Sequence, residues 1–130
     1  MIRIEHIALW TEDIERLADF YRTYFDAEVG DPYINAAKEF ESRFLGFGSG
    51  ARMEIMKTTT LAPQGHAPGA QRMGLTHLAF TLGSTQRVDE LTQRLRQDGY
   101  EVLDGPRRTG DGYYESVVLD PDGNRLEVTA

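Results

Sequence analysis

Ile4-Glu5-His6-Ile7-Ala8-Leu9 is echoed further along the chain by Leu75-Thr76-His77-Leu78-Ala79-Phe80, and Arg52-Met53-Glu54-Ile55 is echoed by Arg125-Leu126-Glu127-Val128. The spacings agree. His6 precedes Glu54 by 54 − 6 = 48 positions and His77 precedes Glu127 by 127 − 77 = 50, so each half opens on a histidine and closes on a glutamate. Self-similarity of this kind is the mark of one supersecondary unit used twice.

Between the markers, each half has the same coarse order. Ile2 to Trp10 alternates as a strand does, with Ile4, His6, Ala8 and Trp10 on one face. Ile14, Leu17, Ala18, Tyr21, Tyr24 and Phe25 then recur at three- and four-residue steps, which predicts a helix capped by Thr11 or Asp13. Strands are expected at Glu28 to Tyr33, Arg43 to Phe47 and Arg52 to Met56, the last two joined by Gly48-Ser49-Gly50. The second half repeats this with a strand over Leu75 to Leu82 and a helix capped by Ser84 or Thr85. That helix faces Val88, Leu91 and Leu95 inward and ends at Gly99. Strands at Tyr100 to Leu103 and Tyr113 to Leu119 lead through the turn Asp120-Pro121-Asp122-Gly123 into Arg125 to Thr129. Leu61 to Met73, with two prolines and two glycines, reads as the connector. The expected fold is α+β: two βαβββ units, about 1–60 and 74–130, each too small to bury its own core, packed as one domain over 1–130 with curved, mostly antiparallel sheet.

At 130 residues the chain can bury about two-thirds of the surface its unfolded form exposes. It has no cysteine, so thiolate is neither nucleophile nor metal ligand, and a reducing, cytoplasmic setting is expected. A net charge of −7 with 14 scattered basic residues repels a phosphate backbone, which excludes nucleic acid as a partner. No apolar run approaches the ~20 residues of a membrane span, and the N-terminus is too polar for a signal peptide.

A histidine or a glutamate alone in a strand is ordinarily a hydrogen-bonded or solvent-facing side chain. The repeat changes that. If the units are related by approximate twofold symmetry, two His-plus-Glu pairs, His6 with Glu54 and His77 with Glu127, converge on one place. Imidazole and carboxylate together suit zinc, nickel, cobalt, iron or manganese. Four such donors leave positions open on a six-coordinate ion, a composition closer to catalytic than to structural sites. There is no Gly-x-x-x-x-Gly-Lys, His-Glu-x-x-His or Gly-x-Ser-x-Gly motif to suggest other chemistry.

The order strand-His, helix, strand-Glu, strand-His, helix, Asp-Pro-Asp-Gly, strand-Glu resembles the vicinal oxygen chelate superfamily over essentially the whole chain. The His/Glu/His/Glu set is similar to its glyoxalase I branch, and Asp120-Pro121-Asp122-Gly123-Asn124-Arg125-Leu126-Glu127 is the most specific stretch. The resemblance implies that His6, Glu54, His77 and Glu127 hold one divalent metal ion (nickel, cobalt or zinc) and that the chain forms a homodimer. It implies lyase or isomerase chemistry on the hemithioacetal of methylglyoxal and a thiol, or on a related small substrate. The metal binds both substrate oxygens, and a glutamate moves a proton between adjacent carbons. Glu127 is the first choice for that base and Glu54 the second.

The likeness departs at Ala8-Leu9-Trp10, where glutathione-using members carry an arginine that pairs with a substrate carboxylate. An indole cannot make that pair, so Trp10 either lines an apolar pocket or belongs to the core. Arg22, Arg43, Arg52, Arg72, Arg107 and Arg108 are alternatives that spacing does not separate. His66 is expected to be exposed and inert, and alternation is expected to send one of Tyr113 and Tyr114 outward and the other inward, to pack in the core. Two other readings come from the same superfamily: a drug-sequestering resistance protein without catalysis, whose members generally lack the ligands, and another metalloenzyme, an epimerase or a ring-cleaving dioxygenase. Dioxygenases usually take two histidines and one carboxylate on iron, which a fourth ligand at Glu54 opposes.

Overall fold

Ile7 and Leu9 alternate with the more exposed His6, Ala8 and Trp10 along β1 (His6–Trp10), the period-two pattern of a strand with two unlike faces. In the computed structural model, which describes residues 1–130, the chain divides into two compact units, Met1–Gln64 and Gly65–Ala130.

In the first unit β1 is followed by α1 (Ile14–Phe25), β2 (Glu28–Val29), β3 (Tyr33–Asn35), a 3-10 turn (Ala36–Lys38), β4 (Phe40–Gly46) and β5 (Arg52–Thr58). The strand order is β1-β5-β4-β2, with β3 also paired to β4. β1 runs parallel to β5, and β5 antiparallel to β4. Asp13 caps α1 by accepting the Arg16 N–H at 3.0 Å, satisfying one of the orphan donors of the first turn. The helix buries Ile14, Leu17, Ala18, Phe20, Tyr21 and Phe25 and lies against β2, β4 and β5, where Leu45, Met53 and Ile55 are also buried. Each such side chain contributes roughly 1.5–3 kcal/mol on leaving water. Phe20 lies off the expected stripe; it is buried through ring contacts with Tyr21, Tyr24 and Phe25.

The second unit contains β6 (His77–Thr81), α2 (Thr85–Gln97), β7 (Val102–Arg108), β8 (Tyr114–Leu119) and β9 (Arg125–Thr129). Its sheet order, β6-β9-β8-β7, reproduces that of the first unit strand for strand, including the parallel pair at one edge. Ser84 caps α2 by accepting the Arg87 N–H. Val88, Leu91 and Leu95 are buried on a helix that lies against β7, β8 and β9. The fold is therefore α+β, with two open sheets that each carry one long helix.

Several boundaries differ from the sequence expectation. β1 begins at His6, because β5, its only neighbour, starts opposite it at Arg52; Ile2 and Ile4 have no strand to pair with. Glu28 to Tyr33 is split at Gly30-Asp31-Pro32, since proline has no N–H for a ladder. β7 begins later than expected and runs on to Arg108 through two register shifts. Gly105 sits at the second of these with φ +79°, and a Cβ there would lie 2.6 Å from the Glu115 carbonyl oxygen. Of the two tyrosines Tyr113 is exposed, as alternation predicts for one of them, while core packing of the other is corrected: Tyr114 is half-buried and directs its hydroxyl to Asp89 at 2.5 Å.

The Asp120-Pro121-Asp122-Gly123 turn forms as expected. Its Asp120 carboxylate accepts the N–H groups of Asp122 and Asn124, both at 2.9 Å, and Gly123 takes φ +82° beneath Pro68. Residues 61–73 contain no helix or strand. Gly69 in this connector is tied down twice, donating to the Gly123 carbonyl at 3.1 Å and accepting from Arg125 Nη1 at 2.9 Å.

Candidate metal centre

Parallel pairing of the first and last strand of each unit places the four marker residues in matching registers. His6 lies opposite Arg52 and Ala8 opposite Glu54; His77 lies opposite Arg125 and Ala79 opposite Glu127. In both sheets the histidine and the glutamate therefore occupy one face on adjacent strands, two residues apart in register. The small alanine between them leaves that face uncovered. The opposite face, carrying Met53 and Ile55 in one unit and Leu126 and Val128 in the other, is buried.

In the first unit His6 Nε2 lies 3.8 Å from Glu54 Oε1. The other ring nitrogen, Nδ1, is 2.5 Å from Glu5 Oε2. The second oxygen of Glu5 accepts from Arg52 Nε at 2.8 Å and from Nη2 at 2.5 Å, and these bonds, that from His6 above all and then those from Arg52, hold the Glu5 carboxyl below the usual glutamate range. The imidazole packs edge-to-face on Phe44, with centroids 5.3 Å apart, and the Arg52 guanidinium lies 4.2 Å from the centre of the same ring.

In the second unit His77 Nε2 lies 3.3 Å from Glu127 Oε2. Position 76 is a threonine whose hydroxyl turns back toward the Gly74 carbonyl, so His77 has no counterpart of Glu5. A third carboxyl enters instead. Glu115, on the neighbouring β8, faces Thr129 of β9, and its pKa is raised by burial first and then by the charge of Glu127 and a hydrogen bond to it. The two carboxyls meet between β8 and β9, on the face that carries His77. Glu115 escaped the sequence reading; the signal that could have found it was a carboxylate inside the otherwise neutral strand Tyr114–Leu119, in phase with Glu127.

The donors fit a divalent first-row metal in kind: each unit presents one imidazole nitrogen and one carboxylate oxygen. Cis ligands about 2.1 Å from an ion stand about 3 Å apart; the second pair, at 3.3 Å, is close to that spacing and the first, at 3.8 Å, is wider. A carboxylate can only accept, so the 2.5 Å contact with Glu5 requires the proton of a neutral His6 to sit on Nδ1. Its Nε2 lone pair and the Glu54 carboxylate are then two acceptors facing each other across 3.8 Å, an arrangement that a cation between them would satisfy. The structure brings together His6 with Glu54 and His77 with Glu127; it contains no group of three or more His, Cys, Asp or Glu side chains positioned to hold a metal.

Trp10 lies on the same face as His6, as expected from the alternation. It is 46 % exposed and meets Phe40 edge-to-face at 6.1 Å, and Phe40 in turn meets Tyr33 at 6.2 Å. His66, in the connector, has Nδ1 3.0 Å from the Ala67 carbonyl. Arg22, Arg52 and Arg107 each pair with a carboxylate of their own unit, Asp19, Glu5 and Asp104 respectively, and Arg108 lies over the Tyr114 ring. No helix is long and apolar enough to cross a membrane.

A protein of Bacillus subtilis (strain 168) described as the uncharacterized protein YqjT is 32% identical over 135 residues, covering 98% of both chains. Among solved structures, the trypanothione-dependent glyoxalase I of Leishmania major shares the fold, with a TM-score of 0.78 at 20% identity over 99% of this chain and 86% of that one. The fosfomycin resistance protein FosX of Listeria monocytogenes, solved as a point mutant with Mn(II) and 1S,2S-dihydroxypropylphosphonic acid, has a TM-score of 0.75 at 25% identity, over 100% of this chain and 94% of that one. The family model that matches residues 3–128 spans both units with their repeated His–Glu registers, and the chain belongs to the Glyoxalase/Bleomycin resistance protein/Dioxygenase superfamily.

Proposed function

We propose that this protein is a metal-dependent lyase or isomerase of glyoxalase I type, acting on a thiol hemithioacetal of methylglyoxal or a closely related small substrate. His6, Glu54, His77 and Glu127 are its metal ligands, the ion being nickel, cobalt or zinc, and the working form is a cytoplasmic homodimer. The observation that carries this reading is the matched register of the two His–Glu pairs, each presenting a nitrogen and an oxygen 3.3–3.8 Å apart on the uncovered face of its sheet. Membership in the superfamily supports a divalent metal and a small-molecule substrate.

A bound divalent ion supplies Lewis-acid polarisation of two vicinal substrate oxygens. The chain's own residues do the rest. Glu127 takes the proton from one carbon and returns it to the neighbouring one, with the Glu115 carboxyl beside it. Ala8 and Ala79, opposite the two glutamates, keep side-chain bulk away from each His–Glu pair. Trp10 and Phe40 offer apolar wall on the first unit's face.

The test is metal analysis of the purified protein, followed by assay with methylglyoxal and several thiols after reconstitution with nickel, cobalt or zinc. Absence of metal binding, with no turnover under any reconstitution, would overturn the reading. The likeness to FosX favours one second reading, a metal-dependent resistance enzyme; turnover of fosfomycin and not of any hemithioacetal in the same assay would select it.

A further inference from the structure

The two halves repeat each other in fold and in register, yet they do not treat their histidines alike. In the first, Glu5 divides its two oxygens between two partners: Oε2 meets His6 Nδ1 at 2.5 Å, and Oε1 takes both Arg52 nitrogens. The backbone joins in, with the Arg52 N–H donating to the Glu5 carbonyl at 2.9 Å. Arg52 is itself seated on Phe44, the ring that also packs on His6. Glu5, Arg52, Phe44 and His6 thus form a closed ring of contacts around one imidazole. In the second half the residue before the histidine is Thr76, and the arginine equivalent to Arg52, Arg125, is spent on the Gly69 carbonyl of the connector.

We propose that Glu5 is a positioning residue for His6: it fixes the Nδ1–H tautomer and the ring plane, so that the Nε2 lone pair is presented beside Glu54 before any ligand arrives. This rests on the proposed metal-ligand role of His6 and deepens it. A carboxylate that orients a ligating histidine through its far nitrogen ordinarily changes metal affinity by about 10- to 100-fold. Here it acts on one half only. The first pair is pre-set through Nδ1, whereas His77 has no such carboxylate before it in the chain.

The experiment is nitrogen-15 NMR of the two imidazoles in the metal-free protein at a pH where both are neutral, for wild type, Glu5→Gln and Glu5→Ala, paired with titration of each protein with nickel. In wild type, His6 is expected to be protonated at Nδ1 and bare at Nε2. Glu5→Ala should move His6 toward the Nε2–H form and weaken nickel binding about tenfold or more. Glu5→Gln, whose amide oxygen can still accept from Nδ1, should retain much of both properties, a rescue that loss of fold could not imitate. His77 signals should be the same in all three. An unchanged His6 tautomer in Glu5→Ala would overturn the positioning role. Wild type that binds no nickel while Glu5 still sets the tautomer would instead overturn the metal reading, so the two failures are told apart.

Discussion

Glu127 is touched from two sides, by His77 Nε2 at 3.3 Å and by the Glu115 carboxyl, whereas Glu54, in the same register of the other sheet, meets His6 Nε2 at 3.8 Å. Under the proposed function Glu127 is the proton-moving group and Glu54 chiefly a ligand. Glu127→Gln keeps shape and one weak oxygen donor but removes charge and proton acceptor. Turnover should fall about 100-fold or more, the usual worth of a positioned base, with a modest loss of metal. Glu54→Gln should lose less turnover. Metal content and turnover measured side by side would decide, and equal, slight losses would sink the base assignment.

Metal removal gives a second check, independent of the substrate. A ligand that binds only the folded state at about 100 times its dissociation constant stabilises it by about 2.7 kcal/mol. Nickel or zinc should therefore raise the Tm of the wild type, and a chelator should reverse the rise. The double variant Glu54→Ala, Glu127→Ala should show no shift at the same metal concentration. Full occupancy in that variant would remove the four residues from consideration as the site.

The marker residues were legible because the same short phrase occurs twice, and alternation then puts His6 and Glu54, or His77 and Glu127, on one face without any knowledge of the third dimension. The strand limits were less so, because a strand ends where its neighbour does: Ile2 and Ile4 continue the alternation, but β5 begins opposite His6. Glu115 was hidden for a different reason. Its place in the repeat is held in the first unit by Ser42, each lying opposite the residue two beyond the marker glutamate, so nothing echoed it. Glu5 lay inside the quoted phrase itself, yet its role depends on an Arg52 side chain reaching across from the next strand, which no spacing encodes.

A buried polar pair under α2 should behave as a unit. Thr92 Oγ1 and Ser116 Oγ lie 2.6 Å apart, both fully enclosed, and the threonine also reaches the Val88 carbonyl at 2.6 Å. Thr92→Val leaves the serine hydroxyl without this partner and should cost about 1–3 kcal/mol. Adding Ser116→Ala should recover part of that loss, because the stranded group is gone. Denaturant unfolding of the two single variants and the double one measures the coupling; strict additivity would mean the pair is not one unit.

Gly105 should tolerate no side chain. At φ +79° it occupies a conformation that L residues rarely adopt, and a Cβ would meet the Glu115 carbonyl at 2.6 Å. Gly105→Ala must therefore open the β7–β8 pairing at the strand that carries Glu115. A fall in stability of more than about 2 kcal/mol is expected from the combined strain and clash. A variant as stable as wild type in thermal unfolding would show that this edge yields more easily than its packing implies.

Under the proposed function, Trp10 bears on which thiol the substrate carries. It stands on the His6 face, 46 % exposed, against Phe40, in the stretch where the sequence resemblance to glutathione-using members leads one to expect an arginine. Trp10→Arg should cost only about 1 kcal/mol of stability, since the lost interaction is one half-exposed aromatic pair. Its effect on specificity should be larger. A charge-assisted hydrogen bond is worth about 1.5–3 kcal/mol, so the ratio of kcat/KM for the glutathione hemithioacetal to that for 2-mercaptoethanol should rise by about tenfold or more. The ratio is the useful quantity, because a general loss of activity divides out of it. No change in the ratio, with both activities intact, would mean that the thiol's carboxylates do not reach this end of the face and that the indole does not select against them.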